Sequence, residues 1–391
     1  MKSQPKLYKT LFGFFKCSPW LDKRHWITFI WMVYGIIQVR KIHPSEWVPF
    51  VQSRANQAQS TERRFTRWIH NDRIDVASIY DPLIREILTN WEDPTLYLAF
   101  DTCMLWNSFC QQRLCVIYRG RSIPLVWETI KHGSSMVSLH HYKHLLQRAK
   151  ALLPKGVKII FLADRGFADT QLMDYLSNVL HWNWRIRYKK SFHLYRQNKR
   201  KTKLSRLNVS AQYGHANFYH NVYLTEEKFG PVHVAFARLS GKRETWLIVS
   251  DEPTDQDTLK EYGLRYDIEE GFKDDKSGAF QLEASGFREA SALTRLYLVI
   301  AVATLFLVSQ GVDVVEKGLR SRVDPHWKRG LSYLKIGLRW VLAASTKGYQ
   351  LIKKMVLPSA SDPEPVSPSK RYRPPNSIVD EFEISCQVFD V

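Results

Sequence analysis

Apolar residues up to about position 90 recur at irregular helix-like intervals: Trp68, Ile69, Ile74, Ile79, Leu83, Ile84, Ile87 and Leu88 follow Ser60-Thr61-Glu62. The spacing predicts a helical domain over residues 1–92. Asp93-Pro94 ends it, and strand-like runs take over at Leu96 to Phe100, Arg113 to Tyr118, Ile123 to Trp127 and Val157 to Ala163. Gly120 makes the second and third of these a hairpin. Helical spacing returns at Tyr142 to Leu153 and Thr170 to Leu180, and Trp184 to Tyr188 is a further strand, so this part is a mixed α/β domain. Three more strands, Phe218 to Leu224, Val232 to Leu239 and Thr245 to Ser250, form a β-rich region. Thr254 to Lys276 then reads as mainly helix, with Thr254 and Asp255 as cap candidates.

Two longer apolar runs, Trp26 to Val39 and Leu296 to Val308, fall short of the about 20 residues that a spanning helix needs and are expected as core helices. Met1 to Lys9 lacks the pattern of a secretory signal, and the expected location is the cytoplasm. The five cysteines, Cys17, Cys103, Cys110, Cys115 and Cys386, form no metal-ligand spacing and read as reduced. Pro358 to Pro375 is rich in Pro and Ser and is expected to be disordered.

Charge narrows the partner. The chain of 391 residues carries 57 Lys and Arg against 38 Asp and Glu, a surplus of 19 that favours a polyanion. Between Lys189 and Arg206 lie Lys189, Lys190, Arg196, Lys199, Arg200, Lys201, Lys203 and Arg206, a block that is either a DNA contact or an exposed loop.

Candidate chemistry begins with two acids at the ends of apolar strands, Asp101 after Leu96 to Phe100 and Asp164 after Lys158 to Ala163. Alone, each is commonly a cap or turn residue. On adjacent strands they would converge at one edge of the sheet, where α/β folds bind ligands. On a helix advancing about 100° per residue, Tyr262, Arg265, Glu269 and Lys276 fall within an arc of roughly 60°. Such a stripe is either a solvated face of ion pairs or a partly covered site, because Ile268 and Phe272 flank it.

These four residues, with gaps of two, three and six, match the Tyr-Arg-Glu-Lys signature of the insertion-sequence-four family of bacterial DDE transposases, which the chain resembles. Ala99-Phe100-Asp101-Thr102 and Leu162-Ala163-Asp164-Arg165 look like that family's two aspartate strands, and Trp246 to Pro253 like its last insertion strand. The likeness spans residues from about 93 to 310; where some relatives carry a further acid after the arginine, this chain has Gly166.

The resemblance implies a ribonuclease-H-like catalytic core over 93–310, with a β-rich insertion at about 189–253 and a C-terminal region over 311–391. By the same likeness Asp101, Asp164 and Glu269 hold two Mg²⁺ or Mn²⁺ ions for cleavage and strand transfer. Tyr262, Arg265 and Lys276 would hold DNA phosphates, joined by Lys273, Arg165, Lys189 and Lys190, and Trp246 would stack on an extruded base or else sit in the core. The implied partners are double-stranded DNA, as inverted repeats and target, and a second copy of the chain on paired ends, with no membrane. A nuclease of the same fold without strand transfer and a DNA-binding protein without catalysis are the other readings.

Overall fold

The computed structural model describes residues 4–15, 22–189, 193–195, 201–203, 215–238, 245–278, 280–366 and 385–390. Among the described residues five helices precede the sheet: α1 (Lys6–Phe14), α2 (Lys23–Val39), α3 (Pro44–Trp47), α4 (Ala58–Ile69) and α5 (Val76–Leu88). Asp22 caps α2 by accepting from the Arg24 amide at 2.8 Å, and Asp75 caps α5 through Ser78 N at 3.0 Å. The apolar faces of these helices do not close on themselves. Phe29, Trp68 and Ile84 belong to the same buried cluster as the centre of the sheet, and Tyr80 Oη donates to Pro124 O at 2.6 Å.

In the sheet, β1 (Thr95–Leu105), β2 (Phe109–Tyr118) and β3 (Arg121–Lys131) form an antiparallel meander. After α6 (Leu139–Leu152), β4 (Lys158–Ala163) returns parallel to β1. α7 (Thr170–Asp174) runs on in π-helical turns to Leu180, and β5 (Asn183–Arg187) pairs parallel to β4. Next come β6 (His193–Tyr195), β7 (Lys201–Lys203), β8 (His215–Leu224), β9 (Phe229–Arg238) and β10 (Thr245–Ser250), which closes antiparallel on β5. The strand order is β3-β2-β1-β4-β5-β10-β9-β8-β6-β7, and β11 (Ser385–Asp390) adds to β8. The basic block expected as a loop or DNA contact therefore contains two strands. Lys189 is exposed beside it, whereas Lys190 lies outside the described residues.

The helix expected from Thr254 to Lys276 is instead broken in two, α8 (Gln256–Gly263) and α9 (Tyr266–Lys273), with a π-helical turn over Asp274–Gly278. Asp255 and Thr258 close a reciprocal cap on α8. At the break the amides of Leu264, Arg265, Asp267 and Ile268 each bond three residues back, to Glu261, Tyr262, Leu264 and Arg265. Such tight turns advance by more than an α-helix does, and Gly263 weakens the helix there. The uniform angular spacing assumed for Tyr262, Arg265, Glu269 and Lys276 is thus not kept.

α10 (Ala290–Glu316) is apolar enough in length and composition to cross a membrane, yet it is buried along most of its length as the central core helix. α11 (Tyr333–Lys347) crosses it closely: a Cβ at Gly337 would fall 1.8 Å from Leu307 O, so only glycine permits the approach. The Pro- and Ser-rich tail is ordered where it starts. Ser359 Oγ accepts from Glu92 N at 2.7 Å, and Asp362 accepts from Tyr333 Oη at 2.6 Å, so the expected disorder does not hold for 358–366. Residues 367–375 lie outside the described residues.

Candidate active site

Two strands bring the aspartates together. β1 and β4 are parallel neighbours whose last paired residues are Phe100 and Ala163, so Asp101 and Asp164 follow at the same level. Asp101 still faces Arg113 across the β1–β2 ladder. Asp164 follows β4, and its Oδ1 accepts from Gly166 N at 2.7 Å, which starts the turn Arg165–Phe167. A Cβ at position 166 would sit 2.9 Å from that oxygen, so the glycine leaves the carboxylate its room.

Glu269 comes from α9. Ile268 packs with Ala99, Cys115, Ile117, Ile160 and Leu162, which fixes the helix over β1, β2 and β4. Gly271 allows close approach to β3, since a Cβ there would meet Ser122 Oγ at 2.2 Å. Arg265 then spans two of the acids, with Nη1 at 3.4 Å from Asp101 Oδ2 and Nη2 at 2.5 Å from Glu269 Oε1. The arginine side chain is 5% exposed, against 18% for Asp101 and 42% for Glu269, so the acids form a rim above it.

Burial pushes the Asp101 carboxyl up to about 6, helped by the charges of Asp164 and Glu269, although Arg265 and the Thr102 amide pull it down. The site thus holds more negative charge than its one arginine neutralises. Burial disfavours the charge on Arg265, but Tyr262, Asp101 and Glu269 outweigh it and hold the guanidinium above its ordinary range. Lys276 lies further along the same face of β1, donating to Met104 O at 3.1 Å and pairing with Glu283 at 3.1 Å.

The other expected residues are divided between surface and core. Arg165, Lys189 and Lys273 are exposed, with Lys273 paired to Glu270 at 2.6 Å. Trp246 is 1% exposed, its ring 5.3 Å from Tyr262 and stacked on Tyr266 at 5.8 Å. Neither Trp246 nor Tyr262 reaches the surface in this conformation, and the Tyr262 hydroxyl has no hydrogen-bond partner among the described residues. The Tyr262 and Tyr266 rings lie 5.9 and 4.8 Å from the Arg265 guanidinium carbon, and Trp246 packs against both of them.

Sequence reasoning passed over Tyr266, which is adjacent to Arg265 and so carried a positional signal. It also passed over Arg113, which is buried against Asp275, Tyr297 and the Phe272 ring beneath α9. A lone arginine in an apolar strand was the available clue.

Three carboxylates make an all-oxygen donor set, the kind that suits Mg²⁺ or Mn²⁺. Among the described residues no three acidic, His or Cys side chains stand close enough to hold an ion. Arg265 occupies the span between Asp101 and Glu269 and supplies the positive charge. The residues fit divalent cations in type and in excess charge.

Comparison with known proteins adds the family. No curated protein matches the chain. A solved structure described as a piggyBac transposase synaptic complex with hairpin DNA is similar at 14% identity and a TM-score of 0.46, covering 82% of this chain and 71% of that one. The family model "Transposase DDE domain" matches residues 108–306, a span that holds Asp164 and Glu269 and begins just after Asp101. That match covers more than half of the 391 residues, and the chain belongs to the transposase DDE domain family.

Proposed function

We propose that the protein is a cut-and-paste DNA transposase of the insertion-sequence-four kind, bacterial and cytoplasmic, whose cleavage centre is Asp101, Asp164 and Glu269. The observation that carries this is the placing of the two aspartates at one level of adjacent parallel strands, with Glu269 joined to Asp101 through Arg265. The order β3-β2-β1-β4-β5 favours a ribonuclease-H-like core. β6 to β10 would be its insertion, the first 92 residues a DNA-binding unit and residues 311–391 a C-terminal region.

Asp101 and Asp164 would hold two Mg²⁺ or Mn²⁺ ions from a rigid strand edge, and Glu269 would complete the set from α9. The bound ions supply the charge that lowers the barrier to in-line displacement at phosphorus. Arg265, when it leaves a carboxylate, presents a planar guanidinium suited to bidentate contact with a phosphate, and Lys276 adds a point charge. Arg165, Lys189, Lys190 and Lys273 would extend the contact to the DNA backbone. The partners would be inverted-repeat ends and target DNA, engaged by a homodimer and cut by way of a hairpin. A base-stacking role for Trp246 requires that residue to leave its packed site. Trp246→Phe should then slow the hairpin step more than the first nick, and equal loss of both would make it a core residue.

The test uses purified full-length protein, Mg²⁺ and end fragments taken from the DNA that flanks the gene. Nicked, hairpin and joined products are expected, all absent with Glu269→Ala, which still binds the fragment. Cleavage that never joins target DNA would make the protein a nuclease, and wild-type cleavage by Glu269→Ala would remove the assignment.

A further inference from the structure

The loop between α10 and α11 ends in a fully exposed tryptophan. Trp327 is 101% exposed, whereas every other described tryptophan is buried or half-buried. The loop that carries it is rigidly braced. Asp324, fully buried, accepts from His326 N at 3.1 Å, Gly330 N at 3.1 Å and Arg320 Nη1 at 3.2 Å. Arg320 also donates to His326 O at 2.9 Å and Trp327 O at 3.0 Å, so the backbone on either side of the indole is fixed. Arg329 ties the loop to Asp362 at 2.6 Å and to the Glu364 carbonyl. An indole held out in water by this much internal bonding is presented to something, because a slack loop would fold it back onto apolar surface.

Charge identifies the partner. From Lys317 to Arg339 the chain has seven Lys and Arg, Lys317 included, and one acid, Asp324. Arg320 and Arg329 are engaged within the loop, but Arg322 and Lys328, on either side of the indole in sequence, are exposed, as are Lys335 and Arg339 on α11. An indole amid cations suits a nucleobase and its neighbouring phosphates. A symmetric contact with a second copy would set these cations near their own kind. The loop adjoins the β2–β3 turn, where Arg119 and Arg329 both face the Tyr333 ring at 5.6 and 4.4 Å. Arg113, opposite Asp101, is six positions away along β2. At about 3.3 Å per residue that is on the order of 20 Å, too far to belong to the acid site.

We propose that Trp327, with Arg322 and Lys328, forms a second DNA contact in which the indole stacks on a base exposed at a strand end or kinked step. The proposal rests on DNA being the partner and not on cleavage, so binding is measured with divalent metal chelated. The probes are a fluorescein-labelled blunt duplex and the same duplex with a single-stranded extension. On the extended probe Trp327→Ala should bind roughly 5- to 150-fold more weakly with an unchanged salt slope, and Trp327→Phe should recover part of the loss. Arg322→Gln or Lys328→Gln should each reduce the salt slope by about one on both probes. Equal affinity of Trp327→Ala and wild type on the extended probe would overturn the contact. So would a change in oligomeric mass with no change in DNA affinity. No DNA binding by wild type would overturn both this contact and the DNA reading, whereas intact binding with failed cleavage would count only against the acid site.

Discussion

Two clusters in this molecule each gather acids about one buried arginine, three at Arg185 and two at Arg265 with Asp164 on the neighbouring strand, and they differ in how many donors each acid finds. Around Arg185, Asp251 accepts from Asn183 at 2.8 Å, Trp184 N at 2.9 Å and the arginine at 3.5 Å. Glu252 takes Lys158 at 2.6 Å and Arg185 at 2.7 Å, and Glu261 takes Arg185 at 2.9 Å and Tyr97 Oη at 3.1 Å. Around Arg265, among the described residues, Asp164 has the Gly166 amide, Glu269 has the arginine, and Asp101 has the Thr102 amide and a long contact to the arginine. Saturated acids lock β5, β10 and α8 together. Under-supplied acids retain lone pairs and charge for a cation, so residue type alone does not separate a structural cluster from a reactive one.

The sharpest break between the clusters should be in cleavage. Asp164→Ala should lower the rate of Mg²⁺-dependent cleavage by roughly three orders of magnitude, and Asp251→Asn should leave it within a few-fold per folded molecule. A large loss from Asp251→Asn, measured on end fragments, would erase the distinction. In stability the order reverses. Arg185→Ala strands three half-buried acids and should cost about 3–5 kcal/mol in urea denaturation, whereas Arg265→Ala strands two, of which Glu269 is well exposed, and should cost less.

The smallest expected effect is in pH dependence. Asp101 is held at about 6 against an ordinary 3.8, so the folded state binds its proton more tightly than the unfolded chain does. That contribution is full below pH 3.8 and is lost as pH rises through 6. Without added metal, Asp101→Asn should therefore be more stable than wild type by about 3 kcal/mol at pH 8. The gap should close toward pH 4, and a constant gap across this range would contradict a carboxyl at Asp101 raised by burial and, less, by the charges of Asp164 and Glu269.

Much of this arrangement was readable from residues alone. The apolar runs before Asp101 and Asp164 marked strands that do pair in parallel, because continuous burial on both faces leaves a plain signal. Glu269 was legible as part of a four-residue pattern, but the three-residue-back turns around Arg265 were not, since they arise from packing under α9. Trp246 shows the limit of alternation: it marks a strand without saying that Tyr262 and Tyr266 cover the indole. Arg185 and the strap over 358–366 escaped for another reason. Their partners are distant in sequence, as with Arg329 and Asp362, and composition alone suggested solvent for the Pro- and Ser-rich tail.

Cation binding without DNA tests the central claim most directly. In calorimetric titration of the full chain with Mn²⁺, wild type and Asp251→Asn should bind alike, and Asp164→Asn should lose at least about tenfold in affinity. Unchanged binding by Asp164→Asn, with the loss appearing in Asp251→Asn instead, would place the cation site in the Arg185 cluster and contradict a cleavage centre built on Asp101, Asp164 and Glu269.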